Sequence, residues 1–312
     1  MNYFAIFTQI FTVTGPVFAM VLLGYVLRRI NLINQSFIET SSSLVFKGTM
    51  PTMFFLAIWQ ADLVQAVVPE LIVGVTMGTF LAFGLSWWWA FKTVDLVNRG
   101  VFIQGAFRGN CGVVSLALVA SYFGAYGLAV GGVLAGFTII LFNTLAVFIL
   151  AFYSSNYSFS LNQFVREFTT NPLIISVMLG IAASLVELVL PQWIVTSADY
   201  FARITLPLAL ICVGGTLSLQ TLKQSGKAAF HSSLIKVMIA PILSCLIAWF
   251  LGVQHDELII LWMFLSSPTA VASFAMALAS GSDGQLAANI IALTTVISMI
   301  TITLGVFVLR AL

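Results

Sequence analysis

Charge is what this sequence has least of. Asp, Glu, Lys and Arg together make up 7% of its 312 residues, against roughly 25% in a soluble globular domain. With 61% hydrophobic residues and a mean hydropathy of +1.10, water could not hold the chain in solution. The net charge of +2 is too small for a nucleic-acid-binding surface. Cysteine and histidine are also scarce. Cys111, Cys212 and Cys245 all lie in apolar segments, with neither metal-ligand spacing nor a secreted disulfide pattern. They read as small buried apolar residues, and neither a metal nor a cofactor is expected. His231 and His255 fall at the ends of apolar runs, so neither reads as a midplane proton relay. Paired acids, metal-spaced His/Cys sets and Ser–His pairs at common depth are missing, which leaves no catalytic set for an intramembrane enzyme. The opening MNYFAIF lacks a basic n-region, and its apolar run ends only at Arg28-Arg29. It reads as a retained helix rather than a cleaved signal.

What the sequence has instead is apolar runs of about 20 residues, long enough to cross a ~30 Å hydrocarbon core. They predict an all-α polytopic membrane protein of ten spans, at 5–27, 37–59, 69–91, 100–123, 126–152, 172–190, 197–218, 230–252, 256–281 and 284–310. Basic residues concentrate in cytoplasmic loops. Arg28, Arg29, Lys92, Arg99, Arg166, Lys223 and Lys227 follow alternate spans and so share one side. The other side holds Arg310, together with Asp62, Glu70, Asp199, Asp256 and Glu257. Both termini are therefore expected outside the cytoplasmic membrane.

The chain also repeats itself. TGPVFAMVLLG from Thr14 and TNPLIISVMLG from Thr170 share Thr14/Thr170, Pro16/Pro172 and Gly24/Gly180 at an offset of half the chain. The same offset links Lys47-x-x-x-Pro51 to Arg203-x-x-x-Pro207; it slips by one between FRGNCGVVSLALVASYFG and FLSSPTAVASFAMALASG. An odd number of spans per unit requires the second copy to insert upside down. The expected organisation is residues 1–152 as a first inverted repeat, 153–171 as a short cytoplasmic linker and 172–312 as the second repeat. Inverted repeats are a transporter architecture, with binding near the midplane at broken helices.

Spans 4 and 9 carry such breaks. Arg108-Gly109-Asn110-Cys111-Gly112 is a poor helix centre, and Pro268 in Ser266-Ser267-Pro268-Thr269 removes a backbone donor. Gly109, Gly112, Pro268, Pro51 and Pro207 are the predicted break or hinge positions. Half-helix N-termini near Gly112 and Thr269 would aim N–H groups at the gap and attract an anion. Asn110, Cys111, Ser266, Ser267 and Thr269 complete the expected lining. Two ordinary kinks is the blander reading, weakened by their equivalent places in the repeat. Four cations fall within spans: Lys47, Arg108, Arg203 and Lys236. No acid falls at comparable depth, which makes the cargo the expected counter-ion. Arg108, about 12 Å into its span, is the leading carboxylate contact. Lys47 and Arg203 are placed between the cavity and a snorkelling position, and Lys236 is read as snorkelling to the cytoplasmic surface.

These segments resemble the auxin efflux carrier family of permeases, whose bacterial members include transporters of malonate and other organic acids. The resemblance rests on the Pro51 region, FRGNCG, NPLIIS, PLALICVGGTL and SSPTAVASFAMALASG, and covers essentially the whole chain. It implies two five-helix repeats with spans 4 and 9 crossing. Spans 1, 2, 6 and 7 would form a scaffold, and spans 3–5 and 8–10 a mobile unit that carries substrate by an elevator shift. The crossover asparagine maps onto Asn110 and the proline break onto Pro268. A homodimer through the scaffold is implied by the resemblance alone. The linker is too short for the long loop of plant members, and Asn156-Tyr157-Ser158 within it reads as a chance sequon. The function expected is a carrier of a small organic anion, of the carboxylate class, moved across the lipid bilayer. The alternatives are a sodium-coupled symporter of the bile-acid type and, further off, a channel or receptor. Cargo identity, direction and the coupling ion, proton or sodium, stay open at this point.

Overall fold

The computed structural model describes residues 3–61, 67–153, 166, 169–218 and 226–311. Asp62, Lys223, the 156–158 sequon and most of the linker lie outside the described residues. The described residues are mostly helical and contain no strand, and the predicted apolar runs fall largely on helix. The elements in order are α1 (Tyr3–Arg29), α2 (Gln35–Leu44), α3 (Met50–Trp59), α4 (Pro69–Thr93), α5 (Leu96–Phe107), α6 (Leu116–Tyr153) and α7 (Pro172–Leu185). They continue as α8 (Gln192–Arg203), α9 (Thr205–Gly215), α10 (Lys227–Leu234), α11 (Ala240–Phe250), α12 (His255–Leu265), α13 (Ala272–Ala279) and α14 (Gly284–Ala311). Single π-helical turns at Val45–Thr49, Cys111–Ser115 and Ile235–Ile239 join α2 to α3, lead into α6, and join α10 to α11. Among the described residues, five continuous stretches are long and apolar enough to cross a membrane: Pro69–Thr93, Cys111–Tyr153, Gln192–Gly215, Lys227–Phe250 and Gly284–Ala311.

Local chemistry explains most boundaries. The Asn34 side chain accepts from Phe37 N–H at 2.8 Å and starts α2. Asn171 does the same for Leu173 N–H at 2.9 Å, with Pro172 following where a missing N–H costs nothing. Gly124, at φ +60°, turns the chain between the fourth and fifth predicted spans within α6, a conformation that glycine adopts without a Cβ clash.

Packing divides the helices into two groups. In one, α1 lies along α9, and α3 lies along α7 and α8. In the other, α4 lies along α11, with α5, α6, α10, α12, α13 and α14 around them. Small residues allow helix backbones to approach in lipid, and here the repeat mates do the same job. A Cβ on Gly24 of α1 would overlap the Ile211 carbonyl of α9. A Cβ on Gly180 of α7 would come within 3.1 Å of the Phe55 carbonyl of α3. The outer surface is apolar, with Leu22, Met77, Phe80, Trp88, Phe91, Met178, Trp249, Phe250 and Ile300 all exposed. Lipid solvates such a surface; water does not.

Candidate functional site

The two breaks meet. A helix interrupted at membrane depth leaves backbone groups that lipid cannot satisfy. Here each break satisfies the other. Asn110 N–H donates to the Pro268 carbonyl at 2.8 Å and Ala270 N–H donates to the Arg108 carbonyl at 3.2 Å. This makes an antiparallel bridge between Gly109 and Thr269 inside an otherwise helical bundle. Hydroxyls reinforce it in both directions. Thr269 Oγ1 donates to the Gly105 carbonyl at 2.9 Å, in the last turn of α5. Ser115 Oγ donates to the Phe264 carbonyl at 2.8 Å, in the last turn of α12. Beyond the bridge the chain re-enters helix through the π turn, where Ser115 N–H reaches back to the Asn110 carbonyl at 3.3 Å.

A cavity of about 350 Å³ lies against this crossing. One wall is the break of the fourth span: Arg108, Gly109, Asn110, Cys111, Gly112 and Val113. A second is Ala270, Val271 and Ala272, where α13 begins. The π turn and α13 therefore both present helix N-termini, whose first N–H groups lack intrahelical partners. Asn143 of α6 and Asn171 add amides; Phe46, Met50, Ile139, Phe142, Leu173 and Val213 make the rest largely apolar. A few placed polar groups in an apolar cleft is the usual composition of a small-molecule site.

Arg108 is 8% exposed, in extended backbone at the end of α5. Its Nη2 donates to Asn143 Oδ1 at 2.6 Å, and Nη1 points at the Met276 sulfur. Asn110 sits at φ −84° and ψ 61°, and its side-chain amide is not hydrogen-bonded to any described residue. No described aspartate or glutamate is buried.

The structure corrects several sequence expectations. Ser266, Ser267, Pro268 and Thr269 are buried behind the bridge and do not line the cavity. Their polar atoms are turned inward: Ser267 Oγ donates to the Phe264 carbonyl at 3.0 Å, and Thr269 N–H donates to Thr294 Oγ1 at 3.0 Å. The residues that face the space are the three after them, Ala270 to Ala272. Lys47 and Arg203 are exposed and line no part of it; Arg203 pairs with Asp199 at 2.8 Å, one helical turn away. Pro51 and Pro207 sit in the first turns of α3 and α9, each just after an irregularity, the π turn and the interruption at Ile204. Lys236 does not snorkel. It is 0% exposed, and its Nζ donates to the Leu265 carbonyl at the end of α12, beside Gly109. Asn143, Ser115, Thr294 and Lys236 are polar members of the crossing that sequence reasoning did not place there. Asn143 carried no signal beyond being an amide in an apolar run.

A second cavity of about 400 Å³ lies between α3, α8 and the start of the fifth predicted span, lined by Met53, Gln60, Tyr126, Asp199 and Ala202 among others. The first cavity borders the start of α3 at Met50; this one borders residues further along α3, from Met53 to Gln60.

Apolar helices, two of them broken and paired beside a cavity with Arg108 in its wall, with no acid buried among the described residues, define a class: an integral membrane transporter. A profile described as "Membrane transport protein" matches residues 9–157 and 156–306. The chain belongs to that family, the auxin efflux carriers. It is 24% identical over 301 residues, 94% of this chain and 96% of the other, to a Methanothermobacter thermautotrophicus protein named "Uncharacterized transporter". It is 29% identical over 148 residues, 47% of this chain and 46% of the other, to a Rhizobium meliloti (strain 1021) protein named "Putative malonate transporter".

Proposed function

We propose that the protein is a carrier of a small organic anion, a carboxylate, bound in the cavity at the crossing. The observation that carries this reading is the make-up of that cavity. Arg108 and Asn110 lie in one wall, two half-helix N-termini converge on it, and apolar side chains fill the remainder. A carboxylate on a short organic body matches each part: guanidinium and amide for the oxygens, helix N-termini for the charge, Phe142 and Val213 for the carbon skeleton. The relative named for malonate makes malonate the first cargo to test, although it aligns with about half of this chain.

In this reading ten spans cross the cytoplasmic membrane as two inverted repeats, with both termini outside. The first cavity then opens toward the cytoplasm. It borders the start of α7 and the end of α9, on the side of Arg166 and Lys227. The group of α1, α2, α3, α7, α8 and α9 serves as the scaffold against which the other group slides. The second cavity, between α3, α8 and the start of the fifth predicted span, supports alternating access as a candidate opening on the other side. The pairing of α1 with α9 and α3 with α7 supports the duplication, since an inverted repeat exchanges those two contacts.

The test is a thermal-shift screen of the purified protein against malonate, malate and an aromatic carboxylate, because a ligand of the native state raises Tm by mass action. A carboxylate should raise it in the wild type and not in Arg108→Ala. Stabilisation by neutral or cationic solutes alone would contradict the reading.

A further inference from the structure

Lys236 is the most thoroughly buried cation among the described residues, and the anion cavity does not use it: it lies outside the lining. Its position is specific. It sits in the π turn Ile235–Ile239 between α10 and α11. From there the ammonium reaches the carbonyl of Leu265, the last residue of α12, where the ninth predicted span breaks. A Cβ built on Gly109 would lie 3.1 Å from Lys236 Nζ and 3.1 Å from Ser267 Oγ, so lysine, glycine and serine are packed together at the bridge.

The C-terminal end of a broken half-helix is a site of negative potential. Its last carbonyls have no intrahelical donor, and the macrodipole leaves about half a negative charge there. At membrane depth that end needs a cation, and transporters with broken helices use such carbonyls to coordinate a coupling ion. The oxygens of this break fit that role: the Leu265 carbonyl, Ser267 Oγ and the buried Ser266 Oγ, which has no hydrogen-bond partner among the described residues. No described acid is buried to help hold a metal ion's charge.

We propose that the Lys236 ammonium is a built-in substitute for a coupling sodium ion at this break, so that the carrier assembles its crossing without Na⁺. Lys236 is a positioning residue. It neutralises the α12 terminus and fixes Leu265 to Ser267, and through the Asn110–Pro268 and Ala270–Arg108 hydrogen bonds it fixes the wall that holds Arg108. This deepens the carrier reading by removing the sodium-coupled alternative. Its test needs no knowledge of the cargo, so the two can fail separately.

The experiment compares the Tm of the purified full chain in NaCl and in choline chloride at equal ionic strength, for the wild type, Lys236→Ser and Lys236→Gln. The wild type should melt at the same temperature in both salts. Lys236→Ser opens room for an ion and should melt lower in choline, with Na⁺ raising its Tm by roughly 3 °C or more. Lys236→Gln, which keeps an N–H donor for the Leu265 carbonyl but no charge, should also gain a Na⁺-specific rise. A Na⁺-specific rise in the wild type would overturn the proposal. So would a folded Lys236→Ser or Lys236→Gln that responds equally to both salts.

Discussion

Two buried cations, Arg108 and Lys236, set the chemistry of the crossing. They lie about equally deep in their predicted spans, the eighth or so residue of 100–123 and of 230–252. Arg108 stood out because glycine and asparagine follow it directly. Lys236 has no such neighbours, since a π turn leaves no compositional mark. Linear depth also carries no information about which way a side chain faces, which is why the sequence leaves Lys47 and Arg203 between the cavity and a snorkelling position. At this scale Asn143→Ala is informative. It removes the acceptor of the Arg108 Nη2 hydrogen bond without touching the backbone bridge. Anion affinity should fall by roughly tenfold, the size of one lost hydrogen bond to a charged group, with Tm nearly unchanged. A titration of malonate against the purified variant checks this.

At the scale of elements, the breaks were legible because Gly109, Asn110, Gly112 and Pro268 are poor helix formers in apolar runs that otherwise continue. Their pairing was not legible: which backbone groups meet depends on how two distant segments cross. That geometry also turned the hydroxyls of Ser267 and Thr269 inward and left three apolar residues to face the cavity. Gly24 and Gly180 stand out in the sequence at the proposed repeat offset, and each makes a close approach to a neighbouring helix backbone. Gly24→Val and Gly180→Val should each destabilise the protein by about 1–3 kcal/mol through overpacking. Gly84→Ala, where an added Cβ meets nothing within 4 Å, should not. Thermal melts of the three variants in detergent decide it. Equal melts for all three would mean that the α1–α9 and α3–α7 contacts do not hold the scaffold together.

Across the whole molecule, charge asymmetry and apolar surface were readable from composition and spacing, and they carried the membrane assignment. The division into two packing groups came from the family resemblance and not from periodicity, which says that a helix is apolar but not which helix it meets. The proposed orientation rests on the basic loops and has a direct check. Leu32 lies 71% exposed just after Arg28 and Arg29, and Val189 lies 89% exposed between α7 and α8. The native cysteines Cys111, Cys212 and Cys245 are all buried. In intact cells a membrane-impermeant maleimide should label Val189→Cys and spare Leu32→Cys until the membrane is opened. The reverse pattern would invert the topology and turn the first cavity outward.

The measurement that bears most directly on the account is calorimetric titration of malonate into the purified wild type, Arg108→Ala and Lys47→Ala. The sequence offered both cations; the structure puts only Arg108 in the cavity wall and leaves Lys47 exposed. Binding should weaken at least about tenfold in Arg108→Ala and stay at the wild-type value in Lys47→Ala. Wild-type binding in Arg108→Ala, or its loss in Lys47→Ala, would mean that the anion site is not at the crossing.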